Sequence, residues 1–496
     1  MQLNSARPLG DSTTVIDLAD RDEMDDDMFP LSAEKSWFTR TQSRRTLPFS
    51  LTAQEFVHKG SAEYGGRLTF ELGSVNAGDL IGTVALQVRL GHWLPQEILC
   101  DLETGALTYA NPEDAWFYTN SLGTCLYTKA DLLLEDQVLE SIDDNFSNCF
   151  SLLFSDINTQ FGAGLDAYGR LSLQQIAAQS DPIAPVLPRL PFPTSNGYIT
   201  VILPFSFQRV RLRELFPLIS CKEGTVRVQI QLRPFSEVVR SASGSRSTCD
   251  ETPLGKTFVF NKAGGGTLSV QASTTVPQFT DVRLVTYGVM TDGKLRTALL
   301  KAPFERIYRE VQPFYFGEPK KYMVNTPANG IVRLQLPLEV NGPVEEIIWF
   351  IRRKAVSNNN EWINYSNTLE VEYDARYRPF SSMLDRASIW VNGTPFIEAE
   401  GDYFRRNISQ NHRGGIVGYN NFVYGYTFAE RPGRHDPSGW MNASRSSDVR
   451  LRIDVRQPSL SPNIQTDELE FEVVVYCLCI NWVRYQNGIV NKVFSS

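Results

Sequence analysis

The sequence is short of the residues that most enzyme chemistry uses. Only 4 of its 496 residues are histidine and 7 are cysteine. Seven thiols scattered over so long a chain cannot build a disulfide scaffold, so reduced cysteines are expected. No apolar run approaches the ~18–20 residues a membrane-spanning helix needs; the longest clean one is Val473 to Ile480. Positive charge is also in deficit: 48 Lys and Arg against 56 Asp and Glu leave a formal net charge of −8. That argues against direct nucleic-acid binding, because phosphate contacts need clustered basic side chains. Met1 to Asp27 holds no apolar stretch like that of a secretory signal, and none is expected there.

What is present is ordinary soluble-protein composition, 42% hydrophobic and 21% charged. At ~100–200 residues per domain, the length predicts two to four domains. The dominant pattern is period-two alternation, the mark of strands buried on one face. Leu68, Phe70 and Leu72 alternate with polar neighbours, as do Val84, Leu86, Val88 and Leu90, and Val226, Val228, Ile230 and Leu232. The second half repeats the habit at Val332 to Val340 and Val449 to Val455. Leu469 to Val483 is apolar on both faces after Glu472, which predicts a central strand covered on both sides.

Helical signals are few. Asn145 to Phe161, Leu171 to Ala178 and Asp292 to Val311 could each hold a helix, the last interrupted by Pro303 and placed between two strand-rich blocks. The expected organisation is an acidic N-terminal arm over 1–45, a first β-sandwich over 46–292, a linking segment over 293–313 and a second β-sandwich over 314–496. Each block has one long polar interruption, Ser236 to Thr280 and Arg405 to Asn421. The first reads as a surface excursion, with Arg240 to Arg246 as its flexible, protease-sensitive tip.

No constellation points to catalysis. His58, His92, His412 and His435 share no metal-ligand spacing with one another or with cysteine. Cys477 and Cys479 would share one face of a strand, and core packing is the expectation for them. Gly162 to Ala167 fits G-x-G-x-x-A without a preceding strand, and Gly255-Lys256-Thr257 lacks the first glycine of a phosphate loop. Both read as turns. Asn-x-Ser/Thr occurs at Asn145, Asn364, Asn392, Asn407 and Asn442, a frequency that chance supplies in a chain like this. The strongest charge feature is the acidic run from Asp17 to Asp27, either a solvated arm or one that docks on a basic patch of a neighbouring subunit.

Several segments, in order, resemble the double-jelly-roll major capsid proteins of nucleocytoplasmic large DNA viruses. They are Tyr118-Thr119-Asn120-Ser121-Leu122-Gly123; Ile202 to Phe207 with Leu215 to Ile219 and Val226 to Arg233; Leu284 to Met290 with Phe304 to Gln312; and Val423 to Ala429 through Pro437-Ser438-Gly439 to Arg445. Val391-Asn392-Gly393 and Tyr403-Phe404-Arg405 match further family stretches. The resemblance implies an all-β fold of two tandem eight-stranded jelly rolls with a short connecting helix. It implies a structural protein of the virion, made and assembled in the host cytoplasm. Three copies would form a pseudo-hexagonal capsomer of an icosahedral shell. Its partners would be itself, neighbouring capsomers, minor capsid proteins and proteins of an inner membrane. No catalytic, cofactor-binding or metal-binding residues and no cofactor are expected. The rivals from composition alone are a tandem β-sandwich carbohydrate-binding protein and a glycan-active enzyme.

Overall fold

Alternating apolar side chains set the sheets. The computed structural model describes residues 49–492, except 74–76, 120, 155–197, 210–214, 222–223, 245, 292, 302, 325–329, 374–375, 377–378, 412–421, 434–435, 457–470 and 487. The acidic arm, the 171–178 helix and the 162–167 turn lie outside the described residues.

In the first half the strands are β1 (Phe49–Val57), β2 (Arg67–Leu72), β3 (Leu80–Arg89), β4 (Leu107–Tyr109), β5 (Trp116–Tyr118), β6 (Tyr127–Leu134), β7 (Gln137–Asp143), β8 (Tyr198–Ile202), β9 (Val226–Leu232), β10 (Val239–Ser241), β11 (Thr257–Lys262), β12 (Thr267–Gln271) and β13 (Asp281–Thr291). Two antiparallel sheets, β1–β13–β3–β8 and β2–β9–β6–β7, face each other. β9 shows why: Val226, Val228, Ile230 and Leu232 are all buried, while Arg227, Gln229 and Gln231 between them stay half-exposed. Each fully buried Val, Ile or Leu contributes about 1.5–3 kcal/mol, so a one-residue slip of register would lose the whole set.

The second half has β14 (Phe304–Phe316), β15 (Ile331–Pro337), β16 (Pro343–Arg353), β17 (Leu384–Val391), β18 (Thr394–Glu400), β19 (Val423–Thr427), β20 (Met441–Asn442), β21 (Val449–Arg456), β22 (Phe471–Gln486) and β23 (Ile489–Lys492). Its sheets are β14–β22–β16–β19, extended by β20 and β23, and β15–β21–β17–β18. The pairing order repeats that of the first half, strand for strand. Both halves are therefore jelly rolls of the same topology. β22 is the central, doubly covered strand expected at Leu469 to Val483: it pairs with β14 on one side and β16 on the other, and Val473 to Ile480 are all buried.

Four helices of eight residues or more join the described strands: α1 (Gln96–Thr104), α2 (Asp144–Phe154), α3 (Gly293–Lys301) and α4 (Gly401–Asn411). α2 begins where the sequence indicated, with Asp143 Oδ1 accepting from Phe146 N at 2.7 Å. Two expectations need correction. The Asp292–Val311 helix is only α3. After Pro303 the chain becomes β14, because Phe304 to Phe316 pairs residue by residue with β22. So the second sandwich's pairing starts inside the segment read as a linker. The Arg405–Asn421 interruption begins as helix α4, which buries Phe404 against Trp349 with ring centroids 5.2 Å apart; residues 412–421 lie outside the described set.

Candidate functional site

The most elaborate polar structure in the molecule is the seam between the two sandwiches. The first half supplies the start of α2 and the stretch 233–246. The second half supplies the end of β16 and the Asn-rich stretch 354–372. Asn360 sits at φ 56°, a left-handed conformation that Asn tolerates better than most residues. From there it reaches into the first half: its Nδ2 donates to Ser236 O and Val239 O, both at 2.7 Å, and its carbonyl accepts from Thr119 Oγ1 at 2.6 Å. Asn359 Oδ1 accepts from Ser241 N at 3.1 Å, and its Nδ2 donates to Ser241 O at 3.2 Å.

Arg240 is 3% exposed and forks onto Glu370, with Glu361 3.8 Å away. Burial pushes the Glu361 carboxyl up, and the neighbouring Glu370 charge adds to the rise, against the pull of Arg240. Arg246 donates to Asn358 O at 2.9 Å, Ser357 O at 3.0 Å and Asn360 Oδ1 at 3.1 Å. This overturns the expected surface tip. Arg240 is buried and Arg246 is fastened to the other sandwich. The basic residues are there because the Asn-rich stretch and its glutamates present carbonyls and charge to them. The outward excursion is the later part, the β11–β12 hairpin, whose tip residues Ala263 to Gly266 are exposed.

A second cluster lies beside the first. Arg233 pairs with Asp144 and Glu237 and lies over the Trp362 ring, 4.4 Å from its centroid. Burial raises Asp144 to about 6, against the pull of Arg233. Arg352 binds Glu472 Oε1 and Asn145 Oδ1, at 2.6 and 2.7 Å. Asn148 Nδ2 donates to Tyr365 Oη at 2.6 Å, and Tyr476 Oη donates to Asp143 at 2.9 Å. Further along, Arg209 pairs with Glu140 at 2.6 Å and donates to Arg309 O, while Arg309 forks onto Glu345. Removing one partner of a buried pair typically costs about 3–5 kcal/mol, because the other charge is stranded. The arrangement binds the halves in one relative orientation.

The remaining sequence candidates fall into structural roles. His58 packs edge-on against Phe70, and His92 is half-buried; His412 and His435 lie outside the described residues. Among the described residues no group of three or more His, Cys, Asp or Glu could hold a metal. Cys477 and Cys479 are buried in the core. Lys256 pairs with Glu251 and lies over the Trp116 ring. Of the five Asn-x-Ser/Thr sites, Asn364 and Asn407 are buried, Asn145 is half-buried, and Asn392 and Asn442 are exposed. Sequence reading missed the seam itself. Its one visible signal was the polar run Ser357 to Asn360 shortly after the apolar strand β16.

The Pro437-Ser438-Gly439 stretch is pinned by one side-chain contact and one close backbone approach. Ser438 Oγ accepts from Arg431 N at 2.7 Å, and a Cβ on Gly439 would stand 2.8 Å from Phe428 O. The family model for the large eukaryotic DNA virus major capsid protein matches residues 318–491, a span that includes this stretch. Among solved structures, PBCV-1 VP54, fitted into a reconstruction of the virophage Sputnik, aligns with a TM-score of 0.61 at 17% identity, over 92% of this chain and 100% of its own. The Faustovirus major capsid protein aligns at 0.55 and 10% identity, over 89% of this chain and 91% of its own. A structure of the Sputnik virophage aligns at 0.52 and 10% identity, over 94% and 92%. At such identities the likeness is one of fold. No curated protein matches by sequence.

Proposed function

We propose that the chain is a member of the major capsid protein family of large eukaryotic DNA viruses, whose model matches residues 318–491, and that it is a wall element of the virion shell. Three copies form a pseudo-hexagonal capsomer, and capsomers tile an icosahedral surface. The carrying observation is the pair of like-ordered sandwiches locked by a buried ionic seam. A shell tile needs stiff walls with a fixed angle between them. The seam supports that role, and nothing in it is arranged for turnover. The protein is a structural element rather than an enzyme, with the two sandwiches as its folding units, the second beginning at β14, and the α3 segment as the join. Neighbouring capsomers, minor capsid proteins and proteins of an inner membrane are its partners.

Light scattering tests the assembly. A stable trimer at micromolar concentration is expected, and a monomer under assembly-compatible conditions would overturn the reading. The acidic run 17–27 is proposed to dock on a neighbouring copy. Deleting residues 1–27 should then leave the trimer intact while impairing lattice growth, and high salt should mimic the deletion, because exposed charges are screened over ~8 Å at physiological ionic strength.

A further inference from the structure

At the C-terminal edge of the long central sheet, three side chains meet in an arrangement that the shell role does not require. In the sheet register, Tyr308 faces Asn481 and Val483 faces Lys492. Side chains alternate along a strand. Glu310 on β14, Asn481 on β22 and Lys492 on β23 therefore stand on one face, on a diagonal across three strands. Glu310 joins the other two. Its Oε1 accepts from Lys492 Nζ at 2.9 Å, and its Oε2 accepts from Asn481 Nδ2 at 2.9 Å. The group is largely withdrawn from water: the side chains of Glu310 and Lys492 are 10% and 18% exposed, and Asn481 is buried. The Asn481 carbonyl is engaged as well, since Oδ1 accepts from Trp482 N at 2.7 Å.

We propose that Lys492 and Asn481 join in an intramolecular isopeptide bond, with Glu310 as the proton carrier. Each requirement of amide exchange has a named atom. The nucleophile is Lys492 Nζ, the electrophile is Asn481 Cγ, and the carboxylate touches both the attacking and the leaving nitrogen. The Trp482 N–H stands where charge develops on Oδ1. Holding amine and amide on one rigid sheet face replaces an otherwise very slow encounter.

The step balances. Lys492 enters as the ammonium, and Glu310 takes one of its protons. The free amine attacks Cγ, and the carbonyl electron pair moves onto Oδ1. Glu310 delivers its proton to Nδ2, the Cγ–Nδ2 bond breaks, and ammonia leaves. Glu310 then takes the surplus proton from the new amide nitrogen and passes it to the departing ammonia. One C–N bond has formed and one has broken, with no change of oxidation state. The chain loses one ammonia and one positive charge. Two clefts of about 520 and 470 Å³, both lined by Glu310, give the ammonia a way out.

The test is the denatured intact mass of the full chain, purified in its folded state and incubated near neutral pH. Wild type is expected to weigh one ammonia less than the mass its sequence dictates, whereas the Glu310→Gln and Lys492→Arg variants should each weigh the full mass of their own sequences. Its protease digest should contain a branched peptide joining Lys492 to Asn481. Lys492→Arg keeps the charge and a donor to Glu310, so it carries the comparison if Glu310→Gln does not fold. A wild-type mass equal to its full sequence mass would overturn the proposal. So would an ammonia deficit that persists in Lys492→Arg, since that would be ring closure at an asparagine rather than a cross-link. This readout is independent of trimer formation, so its failure would leave the capsid reading standing.

Discussion

The two sandwiches share a strand order but not a degree of cover. In the second, β16 and β22 are buried on both faces along most of their length. In the first, the corresponding sheet ends in β1, an edge strand with Phe49, Leu51 and Val57 exposed by 62, 79 and 76%, and Tyr287 on its neighbour β13 by 54%. One half is a spine with its apolar surface already used. The other keeps apolar surface open along an edge. The same topology can therefore serve stiffness in one place and contact in another, and the choice is made by what packs on the outer face rather than by the strand order.

The seam joins these unlike halves, so breaking it should have the largest effect. Arg240→Ala strands Glu361 and Glu370 at the joint and is expected to lower stability by about 3–5 kcal/mol, read as a fall in midpoint on chemical unfolding. A conservative swap to Lys should recover only part of this, because Lys cannot fork onto a carboxylate.

The contrast between spine and edge can be sharpened by matched truncations. Ile348→Ala in the spine removes a fully buried side chain and should cost about 2–5 kcal/mol. Leu51→Ala on β1 should change the stability of the isolated subunit by less than about 0.5 kcal/mol. Its effect should appear in association instead, as a shift toward smaller species in light scattering. Equal losses of subunit stability from the two would remove the distinction drawn between the halves.

A smaller effect is expected from pH. Asp144, at about 6 in the folded chain against an ordinary 3.8, holds a proton through a range where the unfolded chain has released it. Its contribution is present in full below the ordinary value and is lost as pH rises through about 6. Across that window wild type should lose stability relative to Asp144→Asn, which cannot titrate; parallel curves would refute the assignment. The smallest effect should come from trypsin. Brief digestion should cut at the exposed Lys262 in the β11–β12 hairpin before Arg240 or Arg246, and leave the oligomeric mass unchanged. Early cleavage at Arg240 would mean that the seam opens readily in solution.

Much of the sandwich framework could be read from the chain. β9, β15, β21 and β22 announce themselves because burial on one face, or on both, writes itself into neighbouring residues. The seam could not be read that way. Arg240 and Glu370 are 130 positions apart, Asn145 and Arg352 are 207, and Asp143 and Tyr476 are 333. Nothing local records which arginine meets which carboxylate. The misplaced tip at Arg240–Arg246 has the same cause. A polar, serine-rich stretch has the same composition whether it faces water or faces another polar stretch of the chain. The start of β14 was read as helix because the residues just before it do form one, α3, and pairing with the distant β22 takes over from Phe304.

The β11–β12 hairpin has a practical use. Gly264, Gly265 and Gly266 have nothing within 4 Å of where a side chain would begin, and the last two sit at φ +90° and +92°. A foreign sequence inserted at this tip would displace no packing. Its main cost would be loop closure, only about 0.6 kcal/mol for each doubling of length. The tip is therefore a graft point, where an epitope or an affinity tag can be carried on every subunit without touching the wall that bears it.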